Sequence, residues 1–243
     1  MKLNVIAPCY QEIRFIRGWL ENIRQFADRV VVSDGGSTDG TLEVINVYMQ
    51  KYPQWIELLH HPQSQTPERD FWDESFRRQA LVDSIKDGFI IRLDIDEMLP
   101  DNFRSLVDNK LDMQYKYSAI LYNFWRSPMY IRIGTPNDPH WGPFNKEIIF
   151  PAGSLSISKD KNHVILLCGL PNQILNDVFI YHYHYLFLEK KSFENRKAEW
   201  CGVLEQPFAI KQLRLKHPAA LTNLYEEVNY GDFASKYQQI TVS

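Results

Sequence analysis

Phe89-Ile90-Ile91-Arg92-Leu93 runs directly into Asp94-Ile95-Asp96-Glu97. A short apolar, β-branched run of this kind reads as a buried strand. Three carboxylates crowd its end, and like charges that close disfavour one another's ionised form. The cluster therefore needs a cation. In an open α/β sheet, ligands bind at the carboxyl ends of the strands. A divalent ion carrying a phosphate-bearing ligand accounts for these residues better than packing does.

The surrounding sequence has the rhythm such a sheet requires. Leu3 to Ala7 reads as a first strand, stopped by Pro8. Ile13, Ile16, Leu20, Ile23 and Ala27 then recur at helical spacing, with Arg14, Arg17, Glu21 and Arg24 on the other face. Arg29 to Ser33 is a second strand, followed by the tight loop Asp34 to Gly40. The next helix spans Thr41 to Lys51, capped by Ser37 or Asp39. A third strand (Trp55 to Leu59), a polar loop over 61–72 and a helix from Asp73 to Lys86 lead to the strand at 89–93. This alternation predicts a doubly wound, mostly parallel sheet with helices on both faces.

After Pro100 the rhythm changes. Ser118 to Trp125, Tyr130 to Ile133, Glu147 to Phe150, His163 to Cys168 and Val178 to Leu188 are strand-like, with little helix between them. They predict a mixed sheet closing over the first half. A Lys- and Glu-rich helix is expected over 189–200, and another near 217–228.

Composition narrows the classes. A chain of 243 residues fits one large α/β domain with a C-terminal appendage. A net charge of -3 argues against a broad nucleic-acid surface. The three cysteines, Cys9, Cys168 and Cys201, are too far apart for a disulfide framework or zinc site, and a reducing, cytoplasmic setting follows. The first residues read as strand rather than secretion signal. No apolar run reaches membrane-spanning length, so membrane association is at most peripheral.

Four segments fall at strand ends in order: Ala7-Pro8-Cys9-Tyr10-Gln11-Glu12, Ser33-Asp34-Gly35-Gly36-Ser37-Thr38-Asp39-Gly40-Thr41, Arg78-Gln79-Ala80, and Asp94-Ile95-Asp96-Glu97. Together they resemble the family 2 glycosyltransferases of the GT-A fold. Members carry a Pro-x-Tyr/Phe-Asn-Glu segment, an Asp-Gly-Ser-x-Asp-Gly-Thr loop, an Arg-Asn pair and an Asp-x-Asp motif. The resemblance covers about residues 3 to 105. Gln11 and Gln79 replace asparagines, and Gly36 is an insertion.

The resemblance implies a single transferase domain over 1–200, with a nucleotide-binding half (1–105), an acceptor half (106–200) and a C-terminal extension (201–243). It implies an inverting, metal-dependent transfer from a UDP-, GDP- or dTDP-sugar to the hydroxyl of a glycan, a lipid-linked glycan or another acceptor. Mn²⁺ or Mg²⁺ would bridge the donor phosphates and stabilise the departing charge. Asp96 is the first choice of ligand. Asp94 would reach ribose or the ion, with Ile95 between them in the donor site. Arg78 would meet the phosphates or base. Asp34 would accept from a pyrimidine N3–H, with Gly35 allowing close backbone approach. Pro8, Tyr10 and Glu12 would wall the base and ribose pocket. Members often add a later histidine ligand; in Tyr181-His182-Tyr183-His184-Tyr185 that is His184, with His182 close behind on the same strand face. Glu147 is the choice for general base, with Asp138 and His163 as rivals.

Blander readings stand beside these. An isolated Asp-x-Asp is usually a solvated loop or cap, and the Asp34 to Gly40 loop alone is a β-to-α turn. Glu97 reads equally as a supporting group, and each histidine as packing among tyrosines. The alternative functions are an inactive nucleotide-sugar-binding scaffold or a sugar nucleotidyltransferase. The latter lacks its Gly-rich loop after strand one. A dinucleotide oxidoreductase lacks its Gly-x-Gly-x-x-Gly.

Overall fold

Four parallel strands form the first half of one eight-stranded sheet: β1 (Leu3–Cys9), β2 (Arg29–Asp34), β3 (Ile56–His60) and β4 (Phe89–Arg92). The computed structural model describes residues 1–62, 70–124, 128–133, 142–158, 166–186, 209–213 and 215–221. Helices α1 (Ile16–Ile23), α2 (Thr41–Lys51) and α3 (Asp70–Asp83) connect the strands. Alternation along the strands builds two cores. Leu3, Val5, Ala7 and Cys9 face α1 and α2, while Ile6, Val31 and Ile90 face Leu81, Val82 and Ile85 on and just after α3. Fully burying each such aliphatic side chain contributes about 1.5–3 kcal/mol.

Pro8 does not stop β1. Leu93 N donates to Ile6 O and Phe89 N to Lys2 O, so even-numbered residues of β1 turn their backbone groups toward β4. That ladder ends at Ile6. Pro8 therefore lacks its N–H where none is wanted, and β1 runs on to Cys9 beside β2.

The second half is mixed, as its sequence predicts. The short β5 (Glu97–Met98) and α4 (Phe103–Val107) follow β4. Then come β6 (Lys116–Asn123), β7 (Tyr130–Ile133), β8 (Phe144–Pro151), β9 (Ser156–Ile157), β10 (Leu166–Leu167), β11 (Asn172–His182) and β12 (Ala209–Gln212). The sheet order is β3-β2-β1-β4-β8-β6-β11-β5. β8 inserts antiparallel between β4 and β6, and β11 runs parallel to β6. β11 ends at His182; His184–Leu186 form a 3-10 turn instead of the strand expected to 188.

Residues 209–213 and 215–221, in the expected C-terminal extension, pack on the sheet half before them. β12 pairs with β7, Ala220 and Leu221 lie in the main core, and residues 219–221 are helical. The helix expected over 189–200 lies outside the described residues, as do Trp125, Asp138, Trp141, His163 and Cys201. Among the described residues, no helix is long and apolar enough to cross a membrane.

Candidate active site

The carboxyl ends of β1 and β4 open onto a cleft of about 600 Å³. Pro8, Cys9, Tyr10 and Glu12 line it after β1, Glu74, Arg77 and Arg78 from α3, and Asp94, Ile95 and Asp96 after β4. His182 and His184 complete it from the end of β11.

The two loops at the β1 and β2 ends are stitched together. Asp34 is wholly buried. Its Oδ2 accepts from Gly36 N (2.6 Å) and Ser37 N (2.9 Å), and its Oδ1 from the Ser37 hydroxyl (2.6 Å). Gly36 adopts φ +89°, a conformation an L side chain would strain. Asp39 accepts from Thr41 N, the Thr41 hydroxyl and Ile13 N. Gln11 exchanges bonds with Ser37 and Thr38, and Glu12 N donates to Thr41 Oγ1.

The turn after β4 is built on charge. Asp94 N donates to Glu97 Oε2 (3.1 Å), and Glu97 N to Asp94 O (3.0 Å). Lys146 Nζ, from β8, lies 2.9 Å from Asp94 Oδ2 and 2.5 Å from Glu97 Oε1. Arg78 Nη1 lies 3.6 Å from Asp94 Oδ1. Burial opposes the Asp94 carboxylate, but Lys146 and Arg78 outweigh it and hold the group well below the usual carboxylate range.

Asp96 meets imidazoles instead. Its Oδ2 lies 2.9 Å from His184 Nδ1 and 3.3 Å from His182 Nε2. Strand pairing brings these distant residues together: β5 sets Glu97 opposite His182, and Tyr183 N donates to Asp96 O at 2.8 Å. The buried Asn22 fixes the chain just after β5 by bonding both Leu99 N (3.0 Å) and Leu99 O (2.8 Å). Burial opposes charge on Asp96, yet the two histidines keep it well below its ordinary value. Burial pushes His182 down, and Asp96 more than reverses that. His182 Nδ1–H donates to Asn123 Oδ1 at 2.5 Å, which leaves Nε2 facing Asp96. Asp96, His182 and His184 each offer a donor atom, all within 4.8 Å of one another. One carboxylate and two imidazoles suit a divalent transition ion.

Residues 4–70 match the family model described as glycosyl transferase family 2. Over that segment the chain is similar to family 2 glycosyltransferases. Among solved structures, the chain is similar to the mannosyltransferase PcManGT from Pyrobaculum calidifontis, in complex with GDP-Man and Mn²⁺. The identity is 14%, the TM-score 0.50, and the match covers 94% of this chain and 69% of that one. That likeness shows the fold, which is GT-A. S. aureus TarS 1–349 in complex with UDP is similar at 14% identity and TM-score 0.47, covering 98% of this chain and 76% of that one. No curated protein matches the chain by sequence.

Of the residues expected from the sequence, the fold brings Pro8, Tyr10, Glu12, Arg78, Asp94, Ile95, Asp96 and His184 onto the cleft, together with His182. Three expectations need correction. Glu147 does not line the cleft. It follows Lys146 on a strand and so points to the opposite sheet face, where Lys116 Nζ holds it at 2.7 Å. Asp34 is folded into its own loop, with both oxygens accepting from that loop; Gly35 N ties the loop to Cys9 O. Asp94 is paired with Lys146 and Arg78, outside the Asp96–histidine group. Gln79 does not reach the cleft and bonds Asp83 and Ile157 N. The sequence reading had no place for Lys146, Asn123 or Asn22. A lone polar residue in a buried strand or on an apolar helix face is the one signal that marks them.

Proposed function

We propose that this chain is a glycosyltransferase that takes its sugar from a nucleoside-diphosphate donor and passes it, with inversion, to an acceptor hydroxyl, using a divalent ion held by Asp96, His182 and His184. The observation that carries the reading is the convergence of these three donor atoms on a cleft whose β1 side, Pro8 to Glu12, lies in the matched segment. The GDP-Man and Mn²⁺ of PcManGT support both the donor class and the ion.

The residues fit the ion. The carboxylate supplies charge, the imidazoles supply neutral nitrogen donors, and Asn123 presents one of them. When bound, a divalent ion supplies Lewis-acid stabilisation to the diphosphate oxygens. The chain's own residues do the rest. Arg78, only 15% exposed at its side chain, adds fixed positive charge to the cleft. Pro8, Tyr10 and Ile95 offer apolar surface for a base or sugar ring. In one displacement, the acceptor oxygen bonds the anomeric carbon as the carbon–oxygen bond to the diphosphate breaks. The acceptor's proton leaves to a base.

Calorimetry with UDP-, GDP- and dTDP-sugars in the presence of Mn²⁺ tests the proposal. One donor class binds the parent chain. Asp96→Ala weakens that binding at least a hundredfold, equivalent to about 2.7 kcal/mol. Absence of binding by every donor rejects the function. Unchanged donor binding in Asp96→Ala rejects the assigned metal site.

A further inference from the structure

Tyr183 sits between the two metal-binding histidines and is itself wholly buried. Its backbone N–H donates to the carbonyl of Asp96 at 2.8 Å, so one residue is joined to all three candidate ligands. Two of those links are covalent, and the third is a hydrogen bond.

The side chain of Tyr183 leads away from the cleft. Its hydroxyl lies 2.9 Å from His217 Nδ1, and His217 Nε2 lies 2.8 Å from Pro128 O. A carbonyl only accepts, so Nε2 carries the proton and Nδ1 accepts from the tyrosine hydroxyl. Burial pushes His217 below its ordinary value, consistent with a neutral ring. Phe124 packs on this ring at 4.9 Å and on Tyr183 at 5.4 Å, while Phe124 N bonds His182 O.

His217 arrives on a well-anchored segment. β12 pairs with β7, and Leu213 N donates to Met129 O. The Tyr181 hydroxyl donates to Lys216 O at 2.9 Å. The Asp101 carboxylate accepts from Ala219 N, and Ala220 and Leu221 are buried. These contacts fix the segment to β7, to the turn after β5 and to β11, whose last residue is His182.

We infer that His217 is a positioning residue for the metal site: through the Tyr183 hydroxyl it holds the His182–Tyr183–His184 backbone in register with Asp96. This rests on reading Asp96, His182 and His184 as metal ligands. It gives the chain around 215–221 a direct role in donor binding, although it lies far along the sequence from the cleft. The acceptor–donor pair of a neutral imidazole is what the position demands, and glutamine offers the same pair.

The experiment is Mn²⁺ binding to the full chain, followed by the electron paramagnetic resonance of free Mn²⁺ at a temperature where every variant is folded. Tyr183→Phe and His217→Ala each bind about tenfold more weakly than the parent, the low end of what groups orienting metal ligands contribute. His217→Gln stays within about threefold. The double variant is no weaker than His217→Ala alone, because both changes break one link. Tyr183→Phe and His217→Ala variants that keep the parent's near-ultraviolet circular dichroism and bind Mn²⁺ within twofold of it overturn the inference. Should His217→Ala fail to fold, Tyr183→Phe decides alone, since it removes one oxygen from a ring that keeps its packing. A parent chain that binds no Mn²⁺ overturns the metal reading and the inference with it. A parent that binds, with variants that bind equally, overturns the inference alone.

Discussion

The loops that end β2 and β4 are both acidic and both lie at the carboxyl edge of the sheet, yet they satisfy their carboxylates differently. In the first, the hydrogen bonds to Asp34 and Asp39 come from backbone N–H groups and hydroxyls, with the His60 ring farther off, 4.0 Å from Asp34. In the second, Asp94, Asp96 and Glu97 are matched by Lys146, Arg78, His182 and His184, all brought from other elements. Dipolar partners shape a loop. Cationic partners balance charge, and of these only the imidazoles can shed a proton and offer a lone pair to a metal. On the proposed reading, the difference separates a loop that holds its form from one that holds an ion.

The sharpest test of that contrast is Lys146→Ala. The Glu97 side chain is 3% exposed and that of Lys146 10%, so removing the ammonium leaves a buried carboxylate without its cation. Breaking such a pair costs about 3 kcal/mol, read as a lower urea midpoint at unchanged slope. Lys146→Met combined with Glu97→Gln recovers most of the loss. A loss of less than about 1 kcal/mol in Lys146→Ala would mean that the charges after β4 are balanced in some other way.

Asp34 gives the next largest effect, through the hydrogen bonds of its own loop. Asp34→Ala orphans Gly36 N, Ser37 N and the Ser37 hydroxyl, at a cost of about 2 kcal/mol. Asp34→Asn costs about half as much, because its amide still accepts from the two N–H groups and the serine hydroxyl can turn to accept. If Asp34 serves the loop alone, donor affinity in Asp34→Asn stays within about threefold of the parent. A larger drop would return Asp34 to the base-binding role that its family resemblance implies.

How much of this was legible follows from how local each signal is. The strand–helix alternation up to Arg92 was readable because apolar period and turn residues sit side by side in the sequence. The cap of α2 was not: the position falls to Gly40, with no side-chain bond, and Asp39 instead bonds Thr41 from one residue earlier. Lys146 was not, because its place beside Asp94 exists only once β8 inserts antiparallel beside β4. On a strand one residue is the other face: Lys146 turns to Asp94 and Glu97, and Glu147 to Lys116. His182 and His184 were chosen as same-face strand residues. They do converge, but through a strand end and a 3-10 turn. Pro8 shows the reverse case, where a local stop signal yields to a vacant side of the ladder.

The smallest effect comes from Asp39, and its pH dependence carries the information. Burial opposes its charge, but the Thr41 hydroxyl and the N–H groups of Ile13 and Thr41 hold its pKa below the ordinary value. A carboxyl depressed in the folded state stabilises the fold above its unfolded pKa of about 3.9. That contribution fades as pH falls through the lower folded value. The group is only partly buried, so the size is set by its hydrogen bonds at the start of α2 rather than by the shift: about 1 kcal/mol or less, or roughly 2–4 °C in Tm for a chain of this length. Melting Asp39→Ala beside the parent between pH 7 and pH 3 should give a constant gap above about pH 5 that closes toward pH 3. A gap that widened on acidification would require Asp39 to be stabilised in its protonated form. The loop after β2 would then no longer be the one held by hydrogen bonds to a carboxylate.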